Sequence, residues 1–377
     1  MPEQKAAEPP VLSSGEPGKQ YKFPCHKCGA DLLFAPGQES LNCPFCGHNE
    51  KIPQTAQEIR EFSFNDFLAT PRSHGFGAGK GQDMRCTKCA ALTRVDASVR
   101  ATVCPFCGAP LIADDGAEGE SDVITPEAVV PFTISYEQAK KYVRDWISTR
   151  WFAPSELKSE SHLKQMQGIY RPFWTYDSHT VSHWSGQRGD YYYVTESYTA
   201  EENGKTVTKT RQVRHTRWSY VSGIYAHFFD DVLINAGHNS DYQTTYKLEE
   251  LKPYRPEFLS GFSAERYMLS LKEGWEKAKA IIKSAIHSGV RSQIGGDEQQ
   301  VDSVDTAYNG ITYKHILLPL WLSCYKYGDK TYCVQVNGQT GVVSGNRPYS
   351  VWKIVLLILV ILAAIGVVAL ISNASGN

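Results

Sequence analysis

The chain reads as a multidomain protein: two small four-cysteine zinc ribbons, an α+β domain with antiparallel strands, and one C-terminal transmembrane helix. Three observations predict this. Two cysteine clusters share one spacing, an uncharged apolar run stands near the end of the chain, and helix and strand periodicities fill the stretch between them.

The clusters are Cys25, Cys28, Cys43, Cys46 and Cys86, Cys89, Cys104, Cys107. Each is C-x2-C, fourteen residues, C-x2-C, and the second is the first displaced by 61 positions. Both close on the same letters, Cys43-Pro44-Phe45-Cys46-Gly47 and Cys104-Pro105-Phe106-Cys107-Gly108. Two thiolates separated by two residues sit on one tight knuckle, and two knuckles complete a tetrahedron around Zn2+. Four cysteine ligands leave no open coordination position, so two structural zinc ions are expected and no catalytic one. Ribbons this short bury little core, and metal binding would supply most of their folding free energy. The competing interpretation is a pair of disulfide-stapled knots, which would suit a secreted chain. Met1 to Gln20 holds Pro9-Pro10 and Glu3, Glu8 and Glu16 with no apolar run, so no signal peptide is expected.

At the other end, Ile354 to Ile371 carries no charge and spans about 27 Å as a helix, close to a bilayer core of about 30 Å. Val351 and Trp352 extend it, and the indole suits the interface. Only Ser372 to Asn377 follow, which reads as a tail anchor. Arg347 and Lys353 flank its amino-terminal side, so the positive-inside rule places the bulk of the chain in the cytoplasm. A reducing compartment also suits metal-binding thiolates.

Between the ends we expect a disordered tail over 1–20, a first ribbon over 21–54, a connector over 55–81 and a second ribbon over 82–112. An acidic linker over 113–124, an α+β domain over 125–349 and the transmembrane helix over 351–371 complete the order. Composition is ordinary for folded protein, at 42% apolar residues, and a net charge of −1 provides no global field for nucleic acid or anionic lipid. In the connector, Glu58 to Leu68 reads as a short element and Gly75 to Gly81 as a loop. Ser135 and Gln138 form a capping box ahead of Ala139, Val143, Trp146 and Ile147. A longer helix is predicted from about Ala264 to Val290, with Tyr267, Leu271, Trp275, Ala278, Ile282, Ala285 and Ile286 on one face. Tyr191 to Tyr198 and Thr206 to Trp218 flank Asn203-Gly204, a strong hairpin signal. Thr312 to Tyr327, Thr331 to Val336 and Gly341 to Ser344 continue as a meander. Pro172 and Pro319 each sit in a strand-like run, so each is expected at an edge or a strand start.

Several constellations invite a functional interpretation. Lys205, Lys209, Arg211, His215 and Arg217 share one face of an extended strand, with Tyr191, Tyr192 and Tyr193 opposite, and could hold an anionic surface. A solvated edge hairpin, its lysines discouraging edge pairing, is the structural alternative and the favoured one. Cys324 and Cys333 fall directly opposite each other if Gly328-Asp329 is a two-residue turn, and in the cytoplasm two free thiols are expected. His179 and His183 lie in a strand-like stretch and read as structural or surface histidines. Gly75 to Gly81 fails the phosphate-loop spacing, and no hydrolase or protease motif occurs, so no enzymatic activity is expected. Residues 1–112 hold twelve Lys plus Arg against eleven Asp plus Glu, and two tetrathiolate zinc centres bring that region near −3. That balance favours protein partners over nucleic acid, although Arg85, Lys88, Arg94 and Arg100 form a local basic group.

The two C-P-F-C-G clusters, Gly168-Ile169-Tyr170-Arg171-Pro172-Phe173-Trp174 and Val336-Asn337-Gly338-Gln339-Thr340-Gly341 together resemble a bacterial family of membrane-anchored double zinc-ribbon proteins. Its members are commonly called TFIIB-type zinc finger proteins or primosomal protein N-prime-like helicases, although helicase ATPase motifs are absent from this chain. Some are encoded beside phage-shock A-type and SPFH-type membrane proteins. The resemblance thus implies a scaffold that recruits protein partners to the lipid bilayer in a membrane-stress response. It supplies no catalytic residues. The alternative from another class is a membrane-tethered nucleic-acid-binding or regulatory zinc-ribbon protein.

Overall fold

A computed structural model describes residues 23–53, 58–69, 81–89, 91–96, 101–106, 109–112, 124–154, 166–202, 205–237, 245–327 and 330–375. The first cysteine cluster lies on a small antiparallel sheet of β1 (Leu33–Ala35), β2 (Ser40–Asn42) and β3 (Asn49–Lys51). The connector supplies β4 (Phe62–Ser63) and α1 (Phe64–Ala69). Around the second cluster come β5 (Gly81–Arg85), β6 (Leu92–Asp96), β7 (Ala101–Val103) and β8 (Pro110–Ile112). The body follows with β9 (Ala128–Val129), α2 (Tyr136–Ser148), β10 (Gln167–Glu202), β11 (Lys205–Asn235), β12 (Lys252–Pro253), β13 (Ser263–Glu265) and α3 (Leu271–Ile294). After these come β14 (Glu298–Tyr327), β15 (Lys330–Asn337), β16 (Val343–Gly345) and α4 (Val351–Ser375).

Among the described residues the fold is sheet-rich. One 11-stranded, mainly antiparallel sheet is centred on β10 and β14, and β7 pairs with β8 in a separate ladder. β5 and β6 extend this same large sheet through β13. Strands of 36, 31 and 30 residues form its spine, far beyond the usual five or six. The register Glu202↔Lys205 leaves two residues for the predicted hairpin turn. Pairing of β10 with β14 ends at Gly189↔Glu298, so the outer part of the hairpin projects as a two-stranded arm.

α3 covers one face of the spine. Leu271, Trp275, Ala278, Ile282, Ile286, Val290 and Ile294 bury against Trp174, Tyr176, Trp184 and Tyr313. Close approach needs glycine here: a Cβ on Gly289 would collide with the Tyr225 ring. The helix begins at Leu271, later than the predicted Ala264, because Ser263–Glu265 pairs as β13 with β10 and β6. Its start is marked by a capping box of Ser270 and Glu273. Tyr267 lies outside the helix, and Ala285 is exposed. The Ser135–Gln138 capping box of α2 is present as predicted.

Pro172 and Pro319 correct another expectation, since both lie inside central strands. Beside β10, the partner β13 ends opposite Tyr170 and β11 begins opposite Phe173. Beside β14, β9 ends opposite Leu317 and β15 begins opposite Leu320. Each proline therefore falls where one neighbour gives way to the next, and its missing N–H interrupts no ladder.

The Val336 to Gly341 motif has a structural role. The Asn337 side-chain oxygen accepts from the Gln339 and Thr340 N–H groups, and its amide donates to Thr245 O at 3.0 Å. α4 contains one span, Val351–Val368, long and apolar enough to cross a membrane. Its start is tied to the turn that follows α2: Ser350 N–H donates to Phe152 O at 2.8 Å and Lys353 Nζ to Ala153 O at 2.7 Å. Trp151, Tyr349 and Trp352 are exposed around this junction.

Candidate metal centres and their surroundings

Each of the four cysteine turns is built alike. The N–H of Cys25, Cys43, Cys86 and Cys104 donates to the carbonyl five residues on, at Ala30, His48, Ala91 and Ala109. Gly29 and Gly47 take φ of 74° and 70° to complete the turns of the first cluster, a conformation that glycine adopts without a Cβ penalty. The Sγ atoms of Cys25, Cys28, Cys43 and Cys46 all lie within 4.8 Å of one another, and so do those of Cys86, Cys89 and Cys104. Cys107 lies outside the described residues. Close pairs are 3.6 Å for Cys25–Cys46, 3.4 Å for Cys28–Cys43 and 3.6 Å for Cys89–Cys104.

A tetrahedron with sulfurs about 2.3 Å from its centre has edges of about 3.8 Å, so these donor sets fit Zn2+. The thiols also differ among themselves. The N–H groups of Cys46 and Phe45 lower Cys43 to about 6. The Ala30 N–H acts to lower Cys28, but the neighbouring Cys43 and Cys46 thiols push it up to about 12. One thiolate forms readily and then opposes the next, which is the electrostatic reason such a group calls for a dication.

The two clusters dock on the body differently. From the first, Leu32, Phe34 and Leu41 enter a core with Phe132, Phe258 and Phe262. Phe34 N–H donates to Ser260 O, and Ser260 Oγ donates to Leu32 O at 2.6 Å. Its Phe45 is left 76% exposed. The second cluster buries the equivalent Phe106, 6% exposed, with Met84, Leu111, Ile169, Leu320 and Leu322. The Arg171 guanidinium sits 5.7 Å from the Phe106 ring centre and pairs with the buried Glu265 at 3.1 Å.

The arm carries the predicted basic face, with compensation. Lys205 stands opposite Glu202 at the tip. Lys209 pairs with Glu202 at 3.1 Å, and Arg211 with Glu196 at 3.2 Å. His215 stacks on Tyr192, and Arg217 lies 5.3 Å from the centre of the same ring. Only Tyr192 of the three tyrosines shares that face, because Tyr191 and Tyr193 alternate to the reverse, where Arg214 covers Tyr191 at 4.2 Å. In the register, the arm and the β15–β16 pair that precedes α4 belong to opposite ends of β10, whose 36 residues span about 115 Å when extended. His179 and His183 lie on β10, and His179 stacks on Phe228. Of the Gly75 to Gly81 loop, only Gly81 falls within the described residues.

Cys324 and Cys333 pair directly across β14 and β15, as the turn counting predicts. The structure joins them in a disulfide, where two free thiols were expected. The pair's Cα atoms lie 4.1 Å apart.

A further charged cluster had no signal in the sequence, because four segments contribute to it. Lys314 is buried and pairs with Asp231 at 2.7 Å and Glu61 at 3.0 Å. Asp177 accepts from Asp231 N–H and Thr312 Oγ1, both at 2.7 Å, at a bulge in β10. Burial alone would raise Glu61, but the Lys314 ammonium holds its carboxyl below the usual range. Burial raises Asp177. The network latches the connector to the sheet.

No family model matches the chain, and no solved structure matches it. It is similar to a Bacillus subtilis (strain 168) protein described as "Uncharacterized protein YdjG", with 27% identity over 341 residues, covering 88% of this chain and 91% of the relative. The likeness therefore extends over most of both chains.

Proposed function

We propose that this chain is a tail-anchored, cytoplasm-facing zinc-ribbon adaptor that recruits protein partners to the membrane during membrane stress. The observation that carries this reading is the exposure of Phe45. Two repeats share the letters C-P-F-C-G, yet one phenylalanine is buried in the body and the other stands in solvent, next in the chain to the exposed Cys46. An exposed aromatic ring on a rigid metal knuckle is the kind of anchor that dominates protein interfaces. Trp151, Tyr349 and Trp352 around the start of α4 support a membrane at that end, since Trp and Tyr favour the interface. Anchoring would raise the local concentration of whatever the knuckle holds. The family resemblance points to phage-shock A-type or SPFH-type proteins as the class of partner, with one Zn2+ in each cluster.

Crosslinking in living cells followed by purification from membranes tests the reading. Specific proteins should accompany the native chain and be lost with Phe45→Ala, while zinc content and membrane association stay unchanged. Nuclease-sensitive nucleic acid in place of protein would overturn it in favour of the nucleic-acid class.

A further inference from the structure

The Cys324–Cys333 pair lies against the second metal knuckle. Both sulfurs are partly buried at the margin of the cluster that holds Cys86, Cys104 and Phe106. Cys333 Sγ is 3.5 Å from the carbonyl oxygen of Phe106, the residue between two of the metal-binding cysteines. Thiolates that bind metal call for reducing surroundings, and in such surroundings a partly exposed disulfide is open to reduction.

From this juxtaposition we infer that Cys324 and Cys333 form a reversible thiol–disulfide site that sets how firmly the second cluster holds its metal. The oxidant class is a low-molecular-weight disulfide, R–S–S–R. One protein thiolate attacks it, forming a mixed disulfide and releasing R–S⁻. The second protein thiolate then attacks the protein sulfur, closes the Cys324–Cys333 bond and releases another R–S⁻. The two protons given up by the protein thiols end on the two R–SH products, and two electrons pass from protein to oxidant. In the dithiol form the Cys333 S–H can donate to the Phe106 carbonyl. In the disulfide form that sulfur carries no hydrogen and cannot donate to this carbonyl. A hydrogen bond of ordinary net strength changes an equilibrium about three- to tenfold, and a thiol donor belongs at the lower end.

This inference goes beyond partner recruitment and rests only on the metal part of the preceding reading. The test uses the full-length protein in detergent, equilibrated at a series of reduced-to-oxidised glutathione ratios. Alkylation and peptide mass mapping report the state of Cys324 and Cys333. Zinc transfer to a chromogenic chelator is followed alongside, with alkylation of the freed cysteines showing which cluster released metal. The pair should titrate reversibly, and its disulfide form should lose zinc from Cys86, Cys89 and Cys104 about threefold more readily than the dithiol form. Release from Cys25, Cys28, Cys43 and Cys46 should not change. Cys333→Ser, whose hydroxyl keeps a donor at the Phe106 carbonyl and can form neither the internal nor a mixed disulfide, should hold the second cluster at its reduced-form behaviour at every ratio. A pair that stays wholly oxidised or wholly reduced across the series overturns the inference. So does equal zinc release in both states. Reduced protein carrying no zinc would overturn the metal reading and the coupling together, while partner capture by Phe45 would remain a separate measurement.

Discussion

Two stretches of this molecule share a motif letter for letter and present opposite faces to their surroundings. In the first cysteine repeat, Phe45 is 76% exposed and docking falls to Leu32, Phe34 and Leu41. In the second, Phe106 is 6% exposed, covered by Arg171 and packed with Leu320 and Leu322. The first repeat keeps a sheet of its own, whereas β5 and β6 are strands of the large sheet. A knuckle fixes the local chain path and the ligand geometry, but which side chain it offers to solvent depends on how the repeat meets the body. The same letters thus serve as a structural plug at one site and an open aromatic surface at the other.

The largest expected effect comes from removing metal ligands, since structural zinc contributes about 10–16 kcal/mol to such units. Paired changes Cys25→Ser with Cys28→Ser, or Cys86→Ser with Cys89→Ser, should each lower the zinc content by one ion. The second pair should also lower the urea midpoint of the body more, because β6 joins its sheet. Equal midpoints in the two variants would break the contrast. Next, Phe106→Ala should cost about 3–5 kcal/mol as a core truncation, whereas Phe45→Ala should stay within about 0.5 kcal/mol in stability. Chemical denaturation of both variants checks this, and a matching loss for Phe45→Ala would mean that its ring is not free.

The chain leaving the second repeat also has a pH dependence. His315 is buried, its Nδ1 is 2.8 Å from Ile124 O, and burial lowers its pKa to about 4. A depressed folded value means that its contribution is complete above about 6.5 and declines as pH falls through about 4. Stability should therefore drop by up to about 3 kcal/mol over that window, and His315→Gln should flatten the profile. A smaller acid effect is expected in the connector, where Lys314 depresses Glu61. That contribution is present above the ordinary carboxylate range and is lost at lower pH, so Glu61→Gln should leave stability at pH 3 closer to its value at pH 7 than in the native chain.

Much of this architecture was legible locally. C-x2-C spacing, the Ser135–Gln138 cap, the hairpin register that brings Glu202 opposite Lys205 and the uncharged run from Ile354 each follow from near neighbours, Asn203 and Gly204 themselves lying outside the described residues. Turn counting also placed Cys324 opposite Cys333. The misreadings were tertiary. Ala264 lies in a strand because β10 and β6 pair with it from either side, and the two prolines are tolerated inside strands because their neighbours change there. The Glu61–Lys314–Asp231 network joins segments with no sequence relation to one another.

By itself, the sequence determined two metal-fitting cysteine clusters, a long hairpin and an apolar helix, since these depend on spacing, turn chemistry and hydropathy over short stretches. Only the tertiary structure decided which C-P-F-C-G phenylalanine is buried, and only it set the Cys333 sulfur against the Phe106 carbonyl. Those outcomes depend on packing between residues far apart in the chain, where identical letters meet different neighbours.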